Sequence, residues 1–410
     1  MWGERSSITN AVIVGALLAA LAGLSVLAWA VAAPGPAEAP TLTDATADDH
    51  LVYLLGPDAI TVIDPESRET VQTIFTEYDP EIALAPDGTT IYLTDGTPPV
   101  LTLSVIDSHS GAIVAQRPSP NRISNRFVGS SGMAVSADGR YVYIHKWELL
   151  EGRYEGDGGT FPATDHWWDI YDTTTQDFSD DPPHVPNCGI AQAFPPQNES
   201  ALLAVLCYQR SVLVFVDLQS GEITRSISSR DDTNGRCARS DTRVAGALQS
   251  PDGTIYLVTT EGCVRVIDPV AMAMTYAFAS DIPDGWQIPY DMVALSPAGD
   301  RLLLGVGPSP FAEDHSAGAW VIDVATQSLV STISLDPDAR SMAVSPDGSL
   351  LYVVSQESSL SAIEIASGEE VWRLTGLNSP EVVRVAPRPQ PASDSVPRQT
   401  CVLDSMPLTH

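Results

Sequence analysis

The chain of 410 residues carries 21 basic against 52 acidic side chains, a formal charge of −31, with 44% hydrophobic and 7% aromatic residues. That composition excludes bulk disorder. The acidic balance argues against nucleic acid as a partner, because little here would neutralise phosphate.

Residues Ala11 to Ala33 form 23 consecutive positions without a charge. At about 1.5 Å per residue, a helix of that length spans a bilayer core. Arg5 and the terminal amine precede it, which keeps the start cytoplasmic. Two readings stand: an uncleaved transmembrane anchor, and a secretory signal cleaved at Ala28-Trp29-Ala30 or Ala30-Val31-Ala32. Either way residues 1–33 are a targeting helix and 34–49 a stiff Pro/Ala-rich linker. The bulk is then extracytoplasmic, in the periplasm or at the cell surface, anchored to the membrane or secreted.

From residue 50 the chain repeats. Apolar residues ending in an acid recur at Asp64, Asp107, Asp172, Asp217, Asp268, Asp323 and Glu364. Tight turns separate other apolar runs at Pro86-Asp87-Gly88, Ala137-Asp138-Gly139, Pro251-Asp252-Gly253, Pro297-Ala298-Gly299 and Pro346-Asp347-Gly348, with a degenerate version at Pro196 to Glu199. Asp-Gly supplies the positive φ of a hairpin turn. Each unit reads as four short strands, A to D, and four-stranded units at this spacing make a β-propeller. The first unit opens on a B strand at Leu51 and the last A strand falls at Val382 to Val385. The expected fold is therefore all-β: a seven-bladed propeller over 50–387, closed by pairing of its N- and C-terminal strands, with a flexible tail at 388–410.

The A–B and C–D turns are short. The long segments, Lys146–His166, Gln176–Asn187, Ser229–Arg243, Ser280–Tyr290 and Gly307–Gly318, all fall on the B–C and D–A face. Long loops on one face of a rigid scaffold are where binding concentrates. The candidate binding residues there are Trp147, Trp286, Tyr290, Phe311 and His315, with Trp167 and Trp168 beside them. Trp167-Trp168 enters a C strand, so one ring is expected between blades, and Trp286 and Tyr290 either wedge a loop or anchor a partner. His145, His166, His184 and His315 lack metal-ligand spacing, so no metal is assigned. Glu148, Glu151, Glu155 and Asp157 read as a solvated acidic loop rather than a calcium site. The chain lacks a hydrolase elbow, a zincin motif, a P-loop and a dinucleotide fingerprint.

Three stretches resemble the heavy subunit of methylamine and aromatic amine dehydrogenases. They are Asp284-Gly285-Trp286 through His315 to Val321-Ile322-Asp323, Thr164-Asp165-His166 leading into Asp169-Ile170-Tyr171-Asp172, and Val185-Pro186-Asn187-Cys188 with Cys207. The repeats are also similar to surface-layer-type propeller repeats. The resemblance implies a non-catalytic propeller without a cofactor of its own, docking a small subunit that carries a tryptophan-derived quinone. On that reading Trp167-Trp168 is not the quinone. A propeller that binds partners without such an enzyme is the second reading, and a hydrolase or lactonase with a central metal is the third. The third needs inward carboxylates, and the A strands offer mainly Ala, Leu, Val and Met.

The resemblance implies a Cys188–Cys207 disulfide within one blade. The two positions are also nearly equidistant from the turn near Gln197, and Cys237 and Cys263 from that near Asp252, which places both pairs across hairpins. Cys401 is left over.

Overall fold

The computed structural model describes residues 50–388, apart from 77–79, 96–100, 121–127, 157–158, 181–190, 195–201, 208–211, 218–219, 221, 229–236, 238–242, 281, 284 and 309–316. The segments expected as a targeting helix, a linker and a tail with Cys401, together with Cys188, Phe311 and His315, lie outside the described residues.

The described residues form seven antiparallel sheets, the blades of a β-propeller. In chain order, blade 1 supplies β1 (His50–Leu55), β2 (Ala59–Asp64) and β3 (Glu69–Phe75). Blade 2 holds β4 (Glu81–Leu84), β5 (Thr90–Asp95), β6 (Thr102–Asp107) and β7 (Ile113–Pro118). Blade 3 holds β8 (Val128–Val135), β9 (Tyr141–Gly156), β10 (Gly159–Asp172) and β11 (Asp177–Phe178). Blade 4 holds β12 (Ala191–Phe194), β13 (Leu202–Cys207), β14 (Val212–Asp217) and β15 (Ile223–Ser228). Blade 5 holds β16 (Val244–Gln249), β17 (Ile255–Thr259), β18 (Cys263–Asp268) and β19 (Ala273–Ala279). In blade 6 the inner strand is split into β20 (Trp286–Gln287) and β21 (Val293–Leu295), followed by β22 (Arg301–Pro308), β23 (Ala317–Asp323) and β24 (Ser328–Leu335). Blade 7 holds β25 (Ala339–Val344), β26 (Leu350–Ser355), β27 (Ser359–Glu364) and β28 (Glu370–Thr375). The last strand, β29 (Val382–Pro387), pairs with β1 in register from His50↔Pro387 to Leu55↔Val382, so blade 1 is made from both ends of the repeat region.

Apolar residues alternate with the pleat and fill the spaces between blades. Tyr352, Val354 and Leu360 of blade 7 pack with Val52, Leu54 and Ile63 of blade 1. Tyr53 and Ile60 pack with Ile91 and Leu93 of blade 2. Met292 and Leu303 of blade 6 meet Met342 and Leu351 of blade 7. Inner strands of adjacent blades lie side by side, β4 against β8, β8 against β12 and β25 against β29 among them.

One device recurs at the A–B turns. In blade 7 the Ser345 Oγ donates to Asp347 Oδ1 at 2.5 Å and accepts from the Leu350 N–H at 2.9 Å. Gly348, at φ 76, closes the turn through its N–H to the Ser345 carbonyl at 2.9 Å. Blade 3 repeats this with Ser136, Asp138 and Gly139. The repeated acid at the end of each C strand caps the next turn: Asp107 accepts the Ser110 N–H at 2.8 Å and Asp323 the Thr326 N–H at 2.8 Å. Both signatures seen in the sequence are thus side-chain caps on short turns.

Two long segments differ from the loops expected. Lys146–His166 is strand for most of its length, because β9 and β10 continue as a ribbon, paired from Asp172↔Tyr141 to Gly159↔Gly156 with an irregularity between Pro162 and Thr164. β8 accompanies β9 as far as Val128↔Glu148, so eight further residues of β9, 149–156, extend beyond it. At about 3.3 Å per residue that is roughly 26 Å of two-stranded ribbon. Part of Ser280–Tyr290 is strand β20, where Trp286 pairs with Pro308 and Gln287 with Gly307.

Candidate partner-binding face and the polar cluster of blade 3

The pairing of β9 with β10 sorts the side chains of blade 3. Opposed residues share a face, so His145 with Trp168 and Trp147 with His166 lie on one side, and Lys146 with Trp167 and Ile144 with Asp169 on the other. The first side is turned to blade 4, since Trp168 and Tyr143 pack with Val205, Val214 and Val216. The second is turned to blade 2, since Ile144 and Tyr171 pack with Tyr92, Leu101 and Leu103.

Toward blade 2, Lys146 Nζ lies 3.3 Å from Asp169 Oδ2, and both side chains are fully buried. Ser119, just after β7, donates to Asp169 Oδ2 at 2.5 Å and accepts from Lys146 Nζ at 3.2 Å. Lys146 Nζ also donates to the Pro120 carbonyl. Two charges leave water here only because each gains a partner and hydrogen bonds.

Toward blade 4, the His145 and His166 rings stack at 5.2 Å, 6° from parallel, with His166 Nδ1 3.3 Å from His145 Nε2. Trp168 tilts against His145 at 5.0 Å. Burial, with His166 adding to it, pushes His145 down to about 3, so its imidazole is neutral at ordinary pH.

Sequence reasoning missed the Lys146–Asp169–Ser119 group. The signal was present, since Lys146 is the single lysine of the chain and directly follows the run Tyr141-Val142-Tyr143-Ile144-His145 and precedes Trp147.

The expected binding residues scatter. Trp168 has no exposure, so its ring is a wedge between blades 3 and 4 and not a contact residue. Trp147 and Trp167 are half-buried at the base of the ribbon. Trp286 is half-buried and packs on the core between blades 5 and 6. Tyr290 is 51% exposed. The structure brings Trp147, Trp167 and Trp168 together in blade 3 and leaves Trp286 and Tyr290 in blade 6. Among the described residues no group of three or more His, Cys, Asp or Glu gathers as a metal site. No helix among them is long and apolar enough to cross a membrane.

Cys237 and Cys263 form a disulfide with Cα atoms 5.7 Å apart. The pairing agrees with the sequence expectation, but the geometry differs. Cys263 is the first residue of β18, the third strand, so the bond ties the D–A segment to the C strand rather than bridging a hairpin. Cys207 is also disulfide-bonded, with its partner outside the described residues. The register sets Ala191 opposite it, which moves the hairpin centre from the position assumed for Cys188.

Neither a protein-family model nor a curated protein sequence matches the chain. Among solved structures, the chain is similar to a protein of unknown function from Desulfotomaculum acetoxidans, at 13% identity and a TM-score of 0.58, over 82% of this chain and 98% of that one. At that identity the likeness extends to the propeller fold alone.

Proposed function

We propose that this chain is an exported, non-catalytic propeller scaffold that docks a protein partner on its B–C and D–A face, in the manner of an amine dehydrogenase heavy subunit. The observation that carries the reading is the β9–β10 ribbon, which prolongs two strands well past their sheet on that face. A scaffold needs a rigid base, and the interblade core beneath the ribbon supplies one. Exposed Tyr290 lies on the same face and is an anchor of the type that dominates binding energy. The quinone would belong to the partner. Residues 1–33 would hold the scaffold at the membrane, pairing of β29 with β1 would close the ring, and Cys188 would be the partner of Cys207.

The test is purification of the full chain, with its native N-terminus, from its own cells after cross-linking. The reading expects a small companion chain that stains for a quinone and oxidises amines with an artificial electron acceptor. It also expects Tyr290→Ala to lower recovery of that companion. A companion without quinone would reduce the proposal to a binding scaffold, and no companion at all would remove it. N-terminal sequencing of the same sample separates the readings of residues 1–33: a start near Val31 or Ala33 means a cleaved signal.

A further inference from the structure

We propose that Arg384 forms a binding site in the central channel for a small organic carboxylate, its guanidinium taking the carboxylate and the apolar inner strands taking the hydrocarbon. The inference is independent of the docking role above.

The pairing registers define one layer of inner-strand positions. Each lies opposite the B-strand residue that in turn faces the C-strand residue two before the closing acid. In blade 1 this position is Arg384, opposite Tyr53, which faces Val62. In blades 2 to 7 it is Ala83, Ala134, Phe194, Leu248, Ala294 and Ala343. The layer thus holds one cation among apolar residues. Its side chains pack toward the next blade: Leu248 on the core between blades 5 and 6, Ala294 on that between blades 6 and 7, and Ala343 on that between blades 7 and 1. The corresponding space between blades 1 and 2 is lined by Ile82, Ile91 and Leu93. A guanidinium buried there would lose its water without gaining a partner.

Arg384 is exposed instead, although it lies in an inner strand. The Val383 N–H donates to Ser341 Oγ of β25 at 3.3 Å, so the main-chain groups of Val383 are turned away from β1. The N–H and C=O of one strand residue point the same way. The Val383 carbonyl accepts from Arg384 Nη1 at 3.1 Å, which puts the guanidinium on the side of β29 away from β1. In a propeller that side is the central channel. Among the described residues the guanidinium has no carboxylate partner, although acids outnumber bases 52 to 21 in the chain.

Charge and surface select the ligand. The acids next to the layer lie toward the D–A end: Glu81 opens β4, and Glu381 precedes β29 and lies 3.9 Å from Arg340. At about 3.3 Å per residue, Glu381 is roughly 10 Å along the strand from Arg384. The guanidinium therefore sets the charge at its own depth, and its fork matches the two oxygens of a carboxylate. Ala134, Leu248 and Ala343 are half-buried, so the layer presents apolar surface near that charge. A hydrated inorganic anion gains nothing from such surface, whereas a carboxylate on a short hydrocarbon chain covers it. A metal cation at this depth would be repelled.

The experiment uses the full chain in detergent and isothermal titration calorimetry with butyrate, against butyramide and inorganic phosphate at matched ionic strength. The expected result is saturable binding of butyrate, weaker by about tenfold or more for the neutral butyramide and for phosphate. Arg384→Gln is expected to abolish butyrate binding and Arg384→Lys to keep part of it. Arg68→Gln is the control and should bind butyrate as the wild type does. Arg68 is another exposed arginine, on a C–D turn at φ 60, where blades 3 and 6 already carry glutamine as Gln176 and Gln327. Absence of saturable butyrate binding to the wild type overturns the proposal. So does butyramide binding as tightly as butyrate, which removes the charge from recognition; this holds even where Arg384→Gln does not fold. Phosphate binding as tightly as butyrate overturns the assignment to an organic carboxylate. Unchanged butyrate binding by folded Arg384→Gln, or an equal loss in Arg68→Gln, takes the site away from Arg384 and overturns the proposal as well.

Discussion

Aligned on the A–B turn glycine for the second strand and on the closing acid for the third, blades 3 and 7 correspond position for position, and four of the buried positions contrast in polarity or bulk. Where blade 7 has Ser355 and Ser361, blade 3 has Lys146 and Asp169; where blade 7 has Val354 and Leu360, blade 3 has His145 and Trp168. The blade 7 set is buried and small, with Ser355 and Ser359 sharing a hydrogen bond of 2.8 Å. The blade 3 set brings an ion pair and a stacked histidine pair into the same space. Blade 7 solves the position with small serines and aliphatic side chains. Blade 3 solves it with groups that are stable only when every partner is present. The ribbon rises from the second solution. A buried ion pair is weak evidence for stability; here it joins β9 to β10, the two strands that continue into the ribbon.

The largest expected effect tests whether both blades belong to one cooperative unit. Truncation after Gly376 removes β29, whose Val383 packs with blade 7 and whose Ala386 packs with blades 1 and 2. The loss of a whole ladder is large against a total stability of roughly 5–15 kcal/mol. The truncated chain is expected to show no cooperative melt by circular dichroism. A melt like that of the full chain would mean that blades 3 and 7 are stabilised independently of the terminal pairing.

The next effect breaks the comparison inside blade 3. Lys146→Met leaves Asp169 buried without its cation and is expected to cost about 3–5 kcal/mol. Lys146→Met combined with Asp169→Leu removes both charges and should regain most of that loss. In blade 7, Ser355→Ala is expected to cost about 1 kcal/mol, as for an ordinary hydrogen bond. Urea unfolding of the four proteins measures all three. If the double variant is no better than the single, the pair is not an electrostatic unit.

A third effect is specific to pH. The unfolded chain protonates His145 near its ordinary value of 6.5, whereas the folded chain holds it neutral down to about 3. The unfolded state therefore binds the extra proton through that window, and stability falls as pH drops from 6.5 toward 3. By pH 5 the loss is on the order of 2 kcal/mol. His145→Gln should flatten the difference in melting temperature between pH 7 and pH 5 relative to the wild type. Blade 7 has Val354 at this position and contributes nothing comparable. An unchanged pH difference in the variant would remove His145 as its source.

Much of this fold is legible in the residues because short-range chemistry writes it. Asp107 and Asp323 recur because each caps the turn that follows, and Asp138 and Asp347 recur because each receives a serine hydroxyl. Those signals are local and repeat in every blade that keeps them. The ribbon has the sequence pattern of a loop, because Gly152, Gly156, Gly158 and Gly159 and the acids around them break strand patterning; its order lies in the pairing of β9 with β10, which neither strand records alone. Cys237 with Cys263 was recovered for the wrong reason, since hairpin symmetry coincided with a contact between the D–A segment and the third strand. The partners of Lys146 come from β10 and from the residue after β7. Contacts of that kind join positions with no common period.

The smallest effect asks whether the two blades differ only on one face. Gly139 of blade 3 and Gly348 of blade 7 occupy the same turn position at φ 72 and φ 76. A Cβ placed on either would meet the turn proline of the preceding blade at ordinary van der Waals distance, Pro86 at 3.8 Å and Pro297 at 3.6 Å. Neither site is blocked by space, so the cost of Gly→Ala is the left-handed backbone alone, about 1–2 kcal/mol. Gly139→Ala and Gly348→Ala are expected to lower stability equally, within the scatter of denaturant measurements. Gly88→Ala in blade 2 supplies the contrast, because its added Cβ would collide with the Pro387 carbonyl and should cost more than either. Equal losses for Gly139→Ala and Gly348→Ala would confine the difference between blades 3 and 7 to their cores and the ribbon face. A clearly larger loss for Gly139→Ala would carry that difference through to the turn face, and blade 3 would then be strained along its whole length.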